Sequence, residues 1–311
     1  PPRPQVYFPF LLMNKKRYAG MYWTKPDTWD KMDSKGIETV RRDNCALVRQ
    51  VVDTVLRMLL MEHSKERAIE YVKGVVRDLL QDKVDLSMLV ITKALGKGAS
   101  TEEYAAKQAH VELAERMRKR DPGSAPAVGD RVPFVLIEAA KGTPAYEKAE
   151  DPIYVLENNL PIDTRYYLEH QLHGPLMRIF EGVMDDPSVL VTGDHTRSIK
   201  KAAPTRGGLM GFAVKKAKCM LCKTLMEEGA GALCASCAPK APLVYQRQLA
   251  VVNDAEERYA RLWTQCQRCQ GSLHADVLCT SRDCPIFYMR RKIQKDLKDA
   301  TDELARFDLD W

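Results

Sequence analysis

The sequence has no apolar run that approaches the length needed to cross a bilayer, and no charged-then-apolar secretory leader. The first absence excludes a chain that spans a membrane by a helix, and the second argues against export into an oxidising compartment. The nine cysteines are therefore expected to be reduced thiols, as in the cytosol or the nucleus. We predict a soluble protein, and its 311 residues are enough for two or three domains.

The sequence also lacks an initiator methionine before Pro1 and soon reaches two aromatic-rich runs. These runs, at 6–13 and 17–23, flank a polar corner at 14–16 and predict a β-hairpin, in which Pro9 occupies an edge or a bulge. A lone two-stranded hairpin is barely stable in water. We therefore expect the sequence to be the C-terminal part of a longer protein, whose sheet the hairpin shares. A loop is predicted at 26–36.

Eight cysteines form two quartets, with gaps of two, eleven and two residues in the first and of two, nine and four in the second. Thiolates two residues apart can point at one centre from a tight turn, and two such pairs complete a tetrahedron with no open position. Both quartets therefore predict structural metal sites and not catalytic zinc. The first quartet is Cys219, Cys222, Cys234 and Cys237, and the second is Cys266, Cys269, Cys279 and Cys284.

Other interpretations of the cysteines are disulfides or a redox pair of the thioredoxin kind. The absence of a leader argues against disulfides, and a redox pair would stand alone beside a βαβ pattern. The spacing leaves zinc and iron–sulfur open, although Pro285 directly after Cys284 is typical of bacterial ferredoxin runs. His274 could replace one cysteine but is expected to be a plain loop residue, and Cys45 an ordinary thiol.

The middle of the chain has the periodicity of helices. Apolar spacing predicts helices at 46–61 and 65–80, and a capping box at Ser100 and Glu103 predicts a third that ends at Arg120. A strand is predicted at 132–137, and Asp163 is predicted to cap helices that break at Gly174-Pro175. The fold class is therefore α+β and mostly α.

Two helices are predicted in the tail, one between the quartets and one after Cys284. The second helix carries a continuous apolar stripe from Ile286 to Phe307, at steps of three and four residues. Two helices that are joined by a metal-bound connection are expected to pack as an antiparallel pair. The inner face of the first helix is predicted to be Tyr245, Leu249, Val252, Tyr259 and Leu262.

The formal net charge is +6 and the pI about 8.8, and the basic residues are bunched. Such bunching suits a polyanionic partner, although any single run is more simply a solvated face. The runs lie at 15–17, 41–42, 116–120, 215–218 and 290–292.

Several strings in a fixed order resemble family B DNA polymerases of the delta type. They are Lys-Lys-Arg-Tyr-Ala-Gly at 15–20, Asp-Ser-Lys-Gly at 33–36, Glu-Thr-Val-Arg-Arg-Asp at 38–43, and Lys-Gln-Ala-His, Glu-Arg-Met-Arg-Lys-Arg and Gly-Asp-Arg-Val-Pro within 107–135. The two cysteine quartets follow them. The resemblance covers essentially the whole sequence. It implies the end of the palm with a primer-gripping hairpin at 1–43, a helical thumb at 44–201, and a C-terminal domain with two four-cysteine metal modules joined by helices at 202–311.

The resemblance also implies roles for individual residues. A hairpin basic at its tip would grip the primer duplex, and the residues that follow it would lie near the primer strand or open the thumb. In this sequence the gripping residues are Lys15, Lys16, Arg17 and Tyr18, those near the primer Lys35 and Gly36, and those opening the thumb Arg41 and Arg42. The first quartet would bind zinc and the second a 4Fe-4S cluster. Expected partners are primer-template DNA, an accessory B-subunit and the sliding clamp, without a membrane, in the nucleus.

The catalytic carboxylates of the family are missing. Two-metal nucleotidyl transfer needs paired aspartates, which the family carries in an Asp-Thr-Asp turn and in an Asp followed by Ser-Leu-Tyr, and neither string occurs here. The magnesium of the intact enzyme would therefore bind upstream, and this segment alone should neither polymerise nor proofread. The alternative is a non-enzymatic, zinc-ribbon protein that binds nucleic acid or partners, for which the basic runs and the four-cysteine sites would be enough.

Overall fold

The computed structural model describes residues 6–38, 44–96, 107–123, 125–198, 217–227 and 231–307. The chain forms two compact units, residues 1–203 and residues 204–311. No helix in the described part of the chain combines the length and apolar character that a membrane crossing requires.

The first unit begins with a three-stranded antiparallel sheet in the order β1-β2-β3. Its strands are β1 (Val6–Asn14), β2 (Arg17–Trp23) and β3 (Trp29–Lys35). The predicted hairpin is confirmed, and the register of β1 shifts between Tyr7 and Phe10, around Pro9. β1 is an edge strand, and Pro9 lies in the irregular stretch where no residue of β2 is paired with it, so its missing N–H breaks no ladder pair.

The third strand corrects the prediction of a loop at 26–36. β3 pairs with β2 from Trp23 opposite Trp29 to Tyr18 opposite Lys35. Its sequence, Trp-Asp-Lys-Met-Asp-Ser-Lys, is poor in β-branched residues and has little strand propensity of its own. Backbone pairing with β2 compensates for that weak propensity, so the hairpin already has a partner strand within this chain.

Helices fill the rest of the first unit. The predicted helices are observed as α1 (Ala46–Leu60) and α2 (Lys65–Leu80), which bury Val52, Val55, Val72 and Val76. The Ser64 hydroxyl caps α2 by accepting the Arg67 N–H. The remaining helices are α3 (Leu86–Leu89), α4 (Ala109–Arg120), α5 (Ala145–Lys148), α6 (Pro152–Asn158), α7 (Thr164–Tyr166) and α8 (His173–Phe180).

The start of the third predicted helix is wrong. α4 begins at Ala109, and its N-cap Gln108 has extended backbone angles. The predicted capping box at Ser100 and Glu103 lies outside the described residues. The end at Arg120 is as predicted.

A small antiparallel sheet crosses the helical part, in the order β4 (Ile91–Ala94), β5 (Arg131–Leu136) and β6 (Ala149–Glu150). β5 is the strand predicted at 132–137, displaced by one residue. It is buried along most of its length, and its Leu136 N–H donates to the hydroxyl of the fully buried Tyr167.

The predicted break at Gly174-Pro175 is also wrong. Asp163 caps α7 by accepting the Tyr166 N–H, as predicted, but the helical chain then continues through a π-helical segment, Tyr167–Leu172, into α8. Pro175 is the third residue of α8, directly after the π-helical segment, and a local change of helical hydrogen bonding is one way in which a helix accommodates a residue without an N–H. The irregularity therefore lies before the proline, as wider helical turns.

The second unit contains α9 (Ala241–Gln270) and α10 (Pro285–Ala305). Gln248 in the first half of α9 donates to the Ala300 carbonyl near the end of α10, so the helices run antiparallel, as predicted. Val252, Ile293 and Ala300 are buried, whereas Leu249, predicted to face inward, is exposed. α9 is longer than predicted, because its last turn includes Cys266 and Cys269.

Candidate metal centres and nucleic-acid interface

The first cysteine quartet converges on one point. The Sγ atoms of Cys219, Cys222, Cys234 and Cys237 all lie within 4.8 Å of one another, and those of Cys222 and Cys234 are 3.6 Å apart. Sulfur atoms about 2.3 Å from one zinc ion stand about 3.8 Å apart in a tetrahedron, so this donor set fits a single zinc ion. All nine cysteines are free, which is contrary to a disulfide framework.

Local backbone bonds bring these four sulfur atoms together. The Cys219 N–H donates to the Thr224 carbonyl, and Lys223 takes a left-handed conformation that turns the chain back after Cys222. The Met220 N–H then donates to the Ala232 carbonyl and joins the two halves of the module. These bonds are short-range, which is why spacing alone predicted the convergence.

The thiols of the first quartet do not ionise equally. N–H groups of Cys234 and Cys222 lower the pKa of the Cys219 thiol to about 6, and the Thr224 hydroxyl lowers the pKa of Cys222. The pKa of Cys237 is raised to about 12, chiefly by the neighbouring Cys234 side chain. The neighbouring thiols thus disfavour ionisation of Cys237, and a bound divalent cation would offset that repulsion between negative charges.

The second quartet occupies the tip where α9 and α10 meet. Cys266 and Cys269 lie about one turn apart at the C-terminal end of α9, and Cys284 is the N-cap of α10. The expectation of a tight turn at the first pair is therefore wrong, because these residues are helical. Residues three apart on a helix share one face, so the two sulfur atoms can still serve one site.

The sulfur atoms of the second quartet are less closely grouped than those of the first. Within the part of the chain that the structure describes, the first quartet is the one group of three or more metal-ligating side chains with ligand atoms within 4.8 Å. The pKa of Cys266 is nevertheless raised, first by burial and then by the charges of Cys284, Cys279 and Cys269. In a 4Fe-4S cluster each cysteine binds a different iron, so the sulfur atoms stand further apart than around one ion. The second quartet therefore lacks the compact sulfur arrangement of a single-ion site.

The loop between Cys269 and Cys284 is held mainly by side chains. Gln267 donates to the Ala275 carbonyl, Gln270 to the Asp276 carbonyl, and the Tyr288 hydroxyl to the Arg282 carbonyl. His274 is exposed and belongs to this loop. Each bond crosses from a helix to the loop, so the helix pair fixes the loop that carries Cys279.

The basic residues of the hairpin gather at one end of the first sheet. Lys15 and Lys16 form the exposed turn between β1 and β2, and Lys35 lies opposite Tyr18 at the end of β3. The Lys35 side chain is 59% exposed, and its ammonium forms an ion pair with the Asp33 carboxylate at 3.4 Å. The ammonium groups of Lys15 and Lys16 lie at the adjacent exposed turn, which favours a polyanion at this end.

Three predicted contact residues have partners within the chain, and Lys35, paired with Asp33, is one of them. Arg17 is only 32% exposed and forms an ion pair with Glu38 at 3.4 Å, and Arg178 of α8 also donates to Glu38. Tyr18 packs its ring against those of Phe10 and Tyr7. Arg17 and Tyr18 thus support the turn in this structure, whereas Lys15 and Lys16 remain exposed. Arg41 and Arg42 lie outside the described residues.

The protein-family comparisons match both units. The family model described as DNA polymerase family B matches residues 4–183. The chain belongs to DNA polymerase family B. A second model, described as the C4-type zinc-finger of DNA polymerase delta, matches residues 219–290 and so includes both quartets.

Similar proteins agree with this family B assignment. The chain is 60% identical over 309 residues, 99% of its length, to a DNA polymerase delta catalytic subunit of Schizosaccharomyces pombe, and 54% identical to that of Drosophila melanogaster over 99% of its length. It spans 28% of each relative. The resemblance to the delta type is thus confirmed. A solved family B polymerase from Pyrobaculum calidifontis matches 57% of this chain and 22% of its own, at 30% identity and a TM-score of 0.46.

The structure shows functional candidates that the sequence prediction missed. Glu38 and Arg178 were not predicted, because their 140-residue separation hides the contact. Arg290 was predicted to be part of an exposed basic run but is 7% exposed. Its position three residues from both Phe287 and Ile293, on the buried stripe of α10, was the available signal.

Gly36 fits closely against the hairpin turn of this family B chain. Its φ is +66°, and a Cβ atom there would overlap the carbonyl oxygen of Lys16. We expect Gly36→Ala to lower the free energy of unfolding by about 2 kcal/mol or more, from backbone strain together with the overlap. Urea unfolding measures the change.

Gly142→Ala is a matched control for this prediction. Gly142 has a φ of +90°, but nothing lies within 4 Å of a Cβ built there. Gly142→Ala therefore tests the backbone strain of a positive φ without any overlap, and this strain is expected to lower the free energy of unfolding by about 1 kcal/mol. Equal losses in the two variants would contradict a close packing of Gly36 against Lys16.

Proposed function

We propose that the chain is the C-terminal part of a replicative DNA-directed DNA polymerase of the delta type, which grips primer-template duplex and docks accessory subunits. In this proposal residues 1–43 end the palm, 44–201 form the thumb, and 202–311 form the metal-binding domain. The observation that carries the proposal is the basic end of the first sheet at Lys15, Lys16 and Lys35, which lies inside the region matched by the family B model.

The exposed lysines have the chemistry for sequence-independent binding of duplex DNA. The minor groove offers acceptors at similar places in every correct base pair, and phosphates attract ammonium groups irrespective of sequence. Lys15 and Lys16 project from a turn that Gly36 packs against, and the bond from Arg17 to Glu38 braces the start of β2. A rigid support lets the lysines detect a displaced acceptor at a mispair. Arg17, Tyr18, Gly36, Arg41 and Arg42 complete the proposed contact region.

Zinc is the ion proposed for the first quartet and a 4Fe-4S cluster for the second. The compact sulfur set of the first fits one tetrahedral ion, and the wider second set fits a group with several irons. The metals would supply covalent ties at both ends of the helix pair. The Arg306 side chain at the end of α10 donates to the carbonyls of Lys218 and Gly231, so the first module is also held by this helix.

The helix pair is the proposed docking surface for the accessory B-subunit, and the domain would assist contact with the sliding clamp. Leu243 and Val251 on α9 are 49% and 52% exposed. Exposed apolar side chains on a helix that metal ties hold in place suit a protein partner. The function would place the protein in the nucleus.

Nucleotidyl transfer belongs to the intact protein in this proposal. Paired aspartates upstream would hold two magnesium ions at the primer 3′ hydroxyl and the triphosphate. The present residues would position the duplex for that reaction. They hold it by charge and do not take part in bond formation.

The test uses the full-length protein with a primed template, Mg²⁺ and deoxynucleoside triphosphates. We expect it to extend the primer, and to bind primed duplex more tightly than single-stranded DNA of the same length. Binding without extension would favour the non-enzymatic zinc-ribbon alternative. Extension with no preference for duplex would contradict the role proposed for the basic end of the sheet.

A further inference from the structure

Arg290 is a buried cation on the inner face of α10. It is 7% exposed, and its guanidinium lies 5.7 Å from the centre of the Trp263 ring and 5.8 Å from that of Phe287. One terminal nitrogen donates to the Cys279 carbonyl at 2.8 Å, and the other makes a longer bond of 3.4 Å to the Val277 carbonyl. Arg290 thus reaches from the helix pair into the loop of the second quartet.

This cation has no anionic partner among the side chains that the structure describes. Arg290 forms no ion pair with a described carboxylate, and its buried Nε has no hydrogen-bond partner there. An arginine in a protein cannot lose its charge, and a buried charge without a counter-charge is strongly unfavourable. Carbonyl oxygens and aromatic faces offset only part of that penalty. A negative group beside Arg290 would therefore stabilise the buried charge.

The thiols of the second quartet are the anionic groups available. Arg290 bonds at 2.8 Å to the backbone carbonyl of one of these residues, Cys279. Four thiolates carry more negative charge than a divalent ion or a 4Fe-4S core supplies in positive charge, so the loaded site is an anion. A cation and an anionic metal group would thus neutralise each other in a partly buried place.

We propose that Arg290 is a positioning residue for the metal group of the second quartet. It fastens the Cys279 segment to α10 through its carbonyl bonds, and its positive charge balances the thiolates. The inference rests on the proposed function in taking that group to be a 4Fe-4S cluster. It goes further because Arg290, which is not a ligand, is assigned two roles. Arg290 helps to retain the cluster, and it sets the reduction potential, which depends on nearby charge and hydrogen bonds.

Three variants of the full-length protein, prepared without oxygen, separate the two roles. Arg290→Met removes the charge and the bonds, and Arg290→Lys keeps the charge but loses the planar fork. Arg291→Met is the matched control, because Arg291 is the adjacent arginine and is exposed. The readouts are the rate of iron loss to a ferrous chelator and the reduction potential from film voltammetry.

We expect Arg290→Met to lose iron about 10–100-fold faster, in the range known for residues that support metal ligands. Its potential should shift to more negative values, because an added electron is no longer stabilised by the cation. Arg290→Lys should retain most of the wild-type potential while losing iron faster, and Arg291→Met should match the wild type in both.

Other outcomes are decisive. Wild-type iron loss and potential in Arg290→Met would overturn the proposal, and so would equal shifts of potential in the methionine and lysine variants. If Arg290→Met is purified without metal, recovery of metal in Arg290→Lys supports the charge role, and its failure there refutes it. If the wild type holds zinc at this quartet, the proposed cluster is wrong and zinc loss to a chelator tests Arg290 in the same way. A wild-type protein without any metal at the second quartet would refute both the proposed cluster and the proposed role of Arg290.

Discussion

Serine at both Cys219 and Cys222 is expected to abolish zinc binding at the first quartet and to unfold the module around it. The two remaining thiolates cannot complete a tetrahedral site, and structural zinc sites supply the folding free energy of their modules. The amides of Cys219, Met220 and Cys237 should lose protection from hydrogen exchange, because their bonds lie within the module. Protection in α1 should be unchanged, since it belongs to the other unit.

The control for this prediction is Cys45→Ala. Cys45 is a buried thiol beside α1, outside both quartets, and burial raises its pKa to about 11. We expect this variant to retain all of its metal, as measured by elemental analysis. Full zinc content in the double serine variant, with protected amides, would show that the four sulfur atoms do not form the zinc site.

Alanine at Lys15 and Lys16 of the full-length protein is expected to weaken binding to primed duplex at least about tenfold in 50 mM salt, about 1.4 kcal/mol. Each phosphate contact contributes about 0.9 to the slope of log affinity against log salt, so the slope should fall by up to about 1.8. The effect should be the same for any primer sequence, because phosphate and minor-groove contacts are insensitive to base order. Products should also be shorter, since dissociation competes with extension.

Lys83→Ala is the control for charge removal. Lys83 is an exposed lysine after α2 and is not part of the basic end of the sheet. It should leave both the affinity and the salt slope nearly unchanged. A loss of affinity in the hairpin variant with an unchanged salt slope would contradict charge pairing with the duplex, and urea unfolding would show whether the turn itself had been disrupted.

The comparison of Arg17 with Lys16 shows the limit of sequence prediction at the candidate interface. Both belong to one basic run, and the resemblance assigns both to the primer duplex. In the structure Lys16 is exposed, whereas Arg17 is bonded to Glu38, which Arg178 also contacts. Which member of a basic run is free depends on acidic partners that are distant in sequence, so the run alone could not separate them.

The two cysteine quartets differ in the same way. The turns of the first quartet are set by bonds within about twenty residues, so their spacing predicted convergence correctly. The first pair of the second quartet lies on the end of α9, which continues beyond the predicted limit to Gln270. A helix turn in place of a tight turn was not visible in the gaps between the cysteines.

The sequence by itself determined the family, the mostly helical class, the bounds of α1 and α2, and the convergence of the first cysteine quartet, because each depends on local periodicity, motif order or spacing. Tertiary structure alone decided that β3 completes the first sheet, that Glu38 forms an ion pair with Arg17, and that Arg290 bonds to the Cys279 carbonyl. Each of these depends on which distant groups come into contact. Pairing of backbone and charge across long separations overrides the local propensity from which a sequence is interpreted.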